Sequence, residues 1–479
     1  MNWPQLLSAR RFFTDGRPEP ELAADEPPLR TAFQRDADRI IFSPAFRRLK
    51  DKTQVFPLPE NDLVHSRLTH STEVAVVGRS LGFAVGREIP ARHRDIDVDR
   101  DREHGAAAER GEPRRSWAQD LADVVAAACL AHDIGNPPFG HAGEDAIARY
   151  FSAAEYAGEL GPLRVQARPA QWADLARFEG NAQGFRILTR LHDERNHGMR
   201  LTAATLGAFT KYPRESGGDL LAPKPAGAGG GPGAAGEWKK YGFFQSERAV
   251  FQAIADELGL LPQPGAPLRY CRHPLAYLVE AADDISYRIL DLEDGLRLNL
   301  VPRHKGFDAL CEIAKKTVRF VRPDDSDSND AIEHLRARAI KQLIIEVHAV
   351  FMDCEERILR GAYPGSLLDE VPSFPQLEAI RELTQTYCYR SRGVLEIELA
   401  GYHLIDALLH EFIPAAVKPP AQRSRQEDKL LALLGAPPME DTAYERTLRV
   451  TDYIASMTDG YAVTLYRRLK GIALPGAGR

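Results

Sequence analysis

His132-Asp133-Ile134-Gly135-Asn136-Pro137-Pro138-Phe139-Gly140-His141-Ala142-Gly143-Glu144 is the stretch that decides the fold. Ahead of it runs an apolar segment, Leu121 to Leu130, which predicts a buried helix. His132 and Asp133 fall at the end of that helix. Gly135 stands where a left-handed C-cap glycine is expected, and Pro137-Pro138 cannot continue a helix. Beyond this rigid loop, His141 and Glu144 sit three residues apart at the start of a new helical pattern. A helix terminus aims two consecutive side chains at one point more readily than a helix middle does. Neutral imidazole plus carboxylate suits a divalent cation of borderline hardness. A His-Asp pair can equally be a surface pair or a capped helix end. The buried setting argues for a partner, because buried polar groups need one.

Composition sets the outer limits. A chain of 479 residues has a length prior of roughly three domains and can bury a large core. Apolar residues make up 44% and charged residues 27%, as in a soluble globular protein. The net charge of −6 gives no global reason to expect nucleic acid or an anionic membrane as partner. Cys129, Cys271, Cys311, Cys354 and Cys388 are scattered, with no CxxC pair, which fits a reducing cytoplasm with no disulfide frame and no thiolate zinc site. Met1-Asn2-Trp3-Pro4 does not open a secretion signal, and no run of about 18 apolar residues predicts a membrane span.

Outward from the central stretch, the chain reads as mainly α. Residues 1–30 are polar and proline-rich and predict a loosely packed N-terminal arm. Ser43 as N-cap with Pro44 at the first position predicts a helix start. Arg47, Arg48, Lys50 and Lys52 crowd the segment that follows, as a solvated face or as phosphate contacts. Helical spacing resumes after Ser66, with Arg67 and His70 three apart on one face, and Arg favours an anionic ligand nearby. Residues 91–116 are dense in charge and residues 214–237 rich in Gly, Pro and Ala, so both read as exposed insertions. Phe178-Glu179-Gly180-Asn181-Ala182-Gln183-Gly184 opens a helix whose glycines allow close approach of a backbone or ligand. Within 273–294, positions 275, 278, 282, 285 and 289 form an apolar stripe, and Asp283, Tyr287 and Asp291 fall at i, i+4 and i+8. Buried acids in this setting call for a cation. Further helices are predicted at 331–359, 374–388, 392–412, 426–434 and 441–469. No alternating strand pattern and no internal repeat is visible. His70, His132, Asp133 and one of Asp283 or Asp284 group as metal ligands from three separated helices, leaving positions for water and substrate.

Five blocks in order carry a resemblance. They are Phe46-Arg47-Arg48-Leu49-Lys50-Asp51-Lys52-Thr53-Gln54-Val55-Phe56, Arg67-Leu68-Thr69-His70-Ser71, the central stretch to His141, Phe178-Glu179-Gly180-Asn181-Ala182-Gln183, and Glu280-Ala281-Ala282-Asp283-Asp284-Ile285. With them the chain resembles the deoxyguanosine triphosphate triphosphohydrolase family of the HD superfamily, from about Arg35 to about Asp294 and more loosely to the C-terminus. The resemblance implies an all-α HD-domain core over 31–300, with the two insertions, and a helical C-terminal region over 301–479 packing on it. It implies one divalent cation per subunit, Mn²⁺ or Mg²⁺ with Fe²⁺, Co²⁺ or Zn²⁺ as alternatives. The ligands would be His70, His132, Asp133 and Asp283, the last because the family's ligand lies four residues before a tyrosine, here Tyr287. His141 and Glu144 would be the catalytic pair. Arg67, Asn181, Lys211 and Tyr287 would lie against the triphosphate, and Gln54, Tyr212 and Asp291 near the sugar.

The implied activity is hydrolysis of a deoxynucleoside triphosphate to deoxynucleoside and inorganic triphosphate, controlling dNTP pools. A homo-oligomer, hexameric or smaller, is implied, with single-stranded nucleic acid as a candidate effector. Two other functions compete: a different HD-type nucleotide phosphohydrolase, and a nucleotide sensor or single-strand binder with little turnover. The insertion after Tyr212 departs from the family pattern and touches base preference.

Overall fold

Ser66 caps the helix Arg67–Arg92 (α1) through a reciprocal capping box with Thr69, which puts Arg67 and His70 in its first turn. Ser116 caps Trp117–Ala131 (α2), the buried helix that ends at His132. Gly78, Gly82 and Gly86 face α2 at helical spacing. A Cβ at Gly82 would lie 2.7 Å from the Leu121 carbonyl oxygen. This approach sets the His70 and His132 rings edge to face, with centroids 5.3 Å apart.

The computed structural model describes residues 1–20, 29–56, 64–93, 116–191, 197–217, 240–265, 267–324, 328–435 and 441–473. Among these residues there are helices and isolated β-bridges but no strand, as the sequence predicts. Residues 94–115 and 218–239, the bulk of the two expected insertions, lie outside the described residues.

After the central loop come His141–Ser152 (α3), Gly180–Thr189 (α4) and Pro274–Arg297 (α5). His273 caps α5, Pro274 starts it, and all five residues of its apolar stripe are buried. The long helix Asn329–Leu359 (α6), Arg392–Val417 (α7), Ala443–Ala455 (α8) and Asp459–Leu469 (α9) complete the elements used below.

The apolar side chains gather in two cores. One is built on α1, α2, α5 and α6 and runs through the chain to Val394. The other joins α3 to residues 405–465. The C-terminal region therefore packs on both. The site described next lies where the helices of the first core meet α3 of the second.

Three expectations need correction. The N-terminal segment is anchored rather than loose. Trp3 and Leu6 are buried, and the Trp3 indole donates to Glu355 at 2.7 Å. Two apolar side chains on one short turn outweigh the polar composition around them. The predicted helix over 441–469 is two helices, because Thr458 caps a fresh start at Asp459. Gly135 is not left-handed. The positive-φ residues of the loop are Phe139 (φ 63°) and Gly140 (φ 56°).

Candidate active site

Gly135 is glycine for lack of room. A Cβ there would lie 2.1 Å from both the Gly180 oxygen and the Gly184 nitrogen, so the loop rests directly on the backbone of α4. Gly135→Ala is therefore expected to destabilise the fold by about 3 kcal/mol, the upper range for overpacking, measured as a fall in the denaturation midpoint. Beyond Gly135, the turn through Phe139 and Gly140 redirects the chain into α3.

Four side chains converge at the end of α2. His70, His132 and Asp133 each offer a ligand atom within 4.8 Å of the other two. Asp283 Oδ1 from α5 lies 3.1 Å from His70 Nε2 and 3.5 Å from His132 Nε2. His132 Nε2 lies 3.6 Å from Asp133 Oδ1. Donors about 2.1 Å from one ion lie roughly 3.0–3.4 Å apart, so the spacing fits a shared cation. The ring orientation fits too. His132 Nδ1 donates to the Cys129 carbonyl at 2.7 Å, which leaves the Nε2 lone pair facing inward. That Nε2 is buried without a hydrogen-bond partner. The protein thus has a His-His-Asp group able to bind a metal ion, with Asp283 against both imidazoles.

Charge around the group is compensated. Burial opposes ionisation of Asp133, but Arg67, donating to Oδ2 at 2.7 Å, and the neighbouring imidazoles hold its pKa down. Asn136 binds the other oxygen at 2.5 Å. For Asp283, too, burial is outweighed, here by His132 and His70, and the pKa falls well below the usual carboxylate range. Asp284 is pushed up to about 7 by burial, with Glu280 and Asp283 adding to the shift. Contact and charge together distinguish Asp283 from Asp284.

His141 and Glu144 stand in the first turn of α3. His141 Nδ1 meets Glu144 Oε2 at 2.8 Å, and Glu144 Oε1 accepts the Gly180 N–H at 2.7 Å. The His141 side chain is 85% exposed while that of Glu144 is 14% exposed, so the carboxylate anchors a ring that stands free on the wall of the open cavity. The hydrogen bond and charge of Glu144 raise the His141 pKa. Burial opposes the Glu144 charge, yet His141 keeps its pKa low.

One cavity of about 470 Å³ is walled by all these groups. Gln54, Arg67, Asn181, Lys211, Tyr212 and Tyr287 line it as well. Gln54 Oε1 is buried there without a hydrogen-bond partner. Lys211 pairs with Glu280 at 3.2 Å, and this carboxylate raises its pKa against the pull of burial.

Asp291 is the exception among the sequence-derived site residues. It is buried behind the wall and accepts the Tyr389 hydroxyl at 2.6 Å. Burial pushes its carboxyl up to about 8. Tyr389 stacks on Tyr287 with centroids 6.0 Å apart and lines the cavity in its place. Sequence reasoning missed Tyr389 and also Lys240, a cavity residue 3.5 Å from Glu179. Lys240 follows the glycine-rich segment and carries no spacing signal. Tyr389 sits among other tyrosines about 100 residues from its partner, a separation of 98.

The all-α fold, with a His-Asp corner and a flanking His-Glu pair in one cavity, fits an HD-type phosphohydrolase, and the comparisons with known proteins give that class. Residues 373–468 match the phosphohydrolase-associated domain family. The whole chain is similar to proteins named deoxyguanosinetriphosphate triphosphohydrolase-like. It is 42% identical over 480 residues to the one in Synechocystis sp., covering 99% of this chain and 100% of the relative. It is 37% identical over 493 residues to the one in Pseudomonas aeruginosa, again covering 99% and 100%. It is 33% identical over 509 residues to the one in Listeria monocytogenes, with the same coverage. The chain belongs to this deoxyguanosinetriphosphate triphosphohydrolase-like family. No helix among the described residues is long and apolar enough to cross a membrane.

Proposed function

We propose that the protein hydrolyses deoxynucleoside triphosphates to deoxynucleoside and inorganic triphosphate. One divalent cation would be held by His70, His132, Asp133 and Asp283. The observation that carries this reading is the inward-facing, unpartnered His132 Nε2 among these ligands, in the same cavity as the His141–Glu144 pair. A divalent ion held there would supply Lewis-acid polarisation of the α-phosphoryl oxygen and an acidified water at neutral pH.

The chain's own residues account for the rest. Water adds its oxygen to the α-phosphorus, the bond from that phosphorus to the 5′ oxygen breaks, and the leaving oxygen needs a proton. His141 is the acid. Its Nδ1 is held by Glu144, so the proton it delivers is on Nε2. Glu144 favours the protonated imidazole by raising its pKa. Arg67, Lys211, Lys240 and Asn181 offer donors to the triphosphate oxygens. Arg67 sits on Asp133, beside the ligand group, where the innermost phosphate would bind.

Gln54 and the stacked Tyr287–Tyr389 pair would hold the sugar. The Gln54 Oε1 needs a donor, which a 3′-hydroxyl supplies. With a tyrosine ring packed under the sugar, a 2′-hydroxyl would have little room. Asp291 would act through Tyr389 by fixing its hydroxyl. In the cell this reaction would draw down the dNTP supply.

Phosphorus NMR of the products formed with Mn²⁺ tests the reading. Tripolyphosphate with free deoxynucleoside is expected. Monophosphate or pyrophosphate would assign the chain to another phosphohydrolase reaction, and saturable binding without turnover would make it a sensor. The sugar contact is tested separately by kcat/KM for dGTP and GTP. A preference for dGTP on the order of 10²-fold is expected, the scale that one unfavourable hydroxyl contact supplies. Equal values would remove steric selection.

A further inference from the structure

Asp459, at the start of α9, reaches two loops that lie far away in sequence. Its Oδ1 accepts the Phe139 N–H at 3.0 Å and its Oδ2 accepts the Thr53 N–H at 2.9 Å. Thr53 and Phe139 both line the cavity. Phe139 is a non-glycine residue in the left-handed region, and His141 is only two residues further on. Such a conformation persists only where its surroundings hold it.

The same part of the chain supplies two more supports. The Phe139 ring packs on Gly401 of α7, where a Cβ would lie 2.7 Å from the Phe139 Cβ. The buried Lys52 Nζ donates to the Asn136 carbonyl at 2.5 Å and to the Ala455 carbonyl, at the end of α8, at 2.8 Å. Gly401, Ala455 and Asp459 all fall within residues 373–468, the phosphohydrolase-associated match.

We propose that Asp459 is a positioning residue: by holding the Thr53 and Phe139 amides it fixes the loop that aims His141 into the cavity. The inference rests on His141 as the acid of the proposed reaction. The associated domain thereby completes a site to which it contributes no metal ligand. A carboxylate suits the task because it offers two acceptors to two donors, each bond strengthened by charge. An amide of the same shape offers one acceptor and sets its own N–H groups against the second amide. Asp459 also stands in the first turn of a helix, where an acid favours the helix whatever it touches. The test must separate these roles.

Full-length protein with Mn²⁺ and dGTP is assayed as wild type, Asp459→Asn, His141→Ala and the double variant. Leu163→Ala, a buried change away from the cavity, controls for general destabilisation. Asp459→Asn is expected to lower kcat about 10- to 100-fold, the cost of misplacing a reacting group by about 1 Å, with little change in KM or bound Mn²⁺. In the His141→Ala background it is expected to cost almost nothing more, because both changes remove one function. Wild-type kcat in Asp459→Asn overturns the proposal. So does an equal loss with and without His141, or an equal loss in Leu163→Ala at matched melting temperature. Hydrogen exchange tests the clamp even if the protein turns over no dNTP. Thr53 and Phe139 amides are expected to be protected in the wild type and to exchange faster in Asp459→Asn. Unchanged exchange would refute the clamp, whereas an inactive wild type with the expected exchange would refute only the reaction.

Discussion

Asp133→Ala is expected to leave the helices in place but remove both the bound metal and more than about 100-fold of the turnover, since lost outer partners of a metal ligand alone cost 10- to 100-fold. Three consequences combine. One of the four proposed ligands disappears. Arg67, which is 6% exposed, loses its carboxylate partner and becomes a buried charge without compensation. Asn136 loses the oxygen that holds it at 2.5 Å. Asp133→Asn separates these effects, because it keeps the shape and one acceptor while discarding the charge. Metal content by elemental analysis and dNTP turnover on the same sample check the prediction. Full turnover without metal would break the link between them.

His141→Ala is expected to do the converse. Bound metal should stay, because His141 is not in the ligand group, while kcat falls by about 10²- to 10⁴-fold, the usual contribution of a general acid. The pH profile identifies the role. The hydrogen bond and charge of Glu144 raise the His141 pKa above its ordinary 6.5, so the protonated form and the rate extend to higher pH than an unpaired imidazole would allow. Both are lost as pH rises through that raised value. His141→Ala should abolish this alkaline limb. Glu144→Gln should move it to lower pH, because an amide no longer favours the charged ring. Wild-type turnover in His141→Ala would remove the residue from the mechanism.

Much of this site was legible because its parts are local. The His132-Asp133 corner, the glycine-proline loop and the His141–Glu144 turn occupy one short stretch, and capping side chains mark the starts of α1, α2 and α5. The α5 pattern was readable for the same reason: i, i+4 spacing places Asp283 and Tyr287 along one helix whatever surrounds it. Helix spacing could not say how deep Asp291 lies. Asp291 is covered there by Tyr389, which arrives from a turn 98 residues away. Gly135 was recognisable as special, but for the wrong reason, because the neighbouring α4 backbone is invisible in the loop's own sequence. Asp459 had no signal at all. Its meaning lies in two backbone amides 320 and 406 residues earlier, and a lone acid at a helix start normally reads as a cap. Convergence across distant segments is the information that residue spacing does not contain.

Anomalous diffraction from crystals grown with Mn²⁺ and a non-hydrolysable dNTP analogue goes to the heart of the matter. One Mn²⁺ peak per chain is expected, about 2.0–2.3 Å from His70, His132, Asp133 and Asp283, with an oxygen of the innermost phosphate on its open side. A peak away from these four residues, or a nucleotide that presents only its terminal phosphate to them, would contradict both the ligand set and the cleavage between sugar and triphosphate.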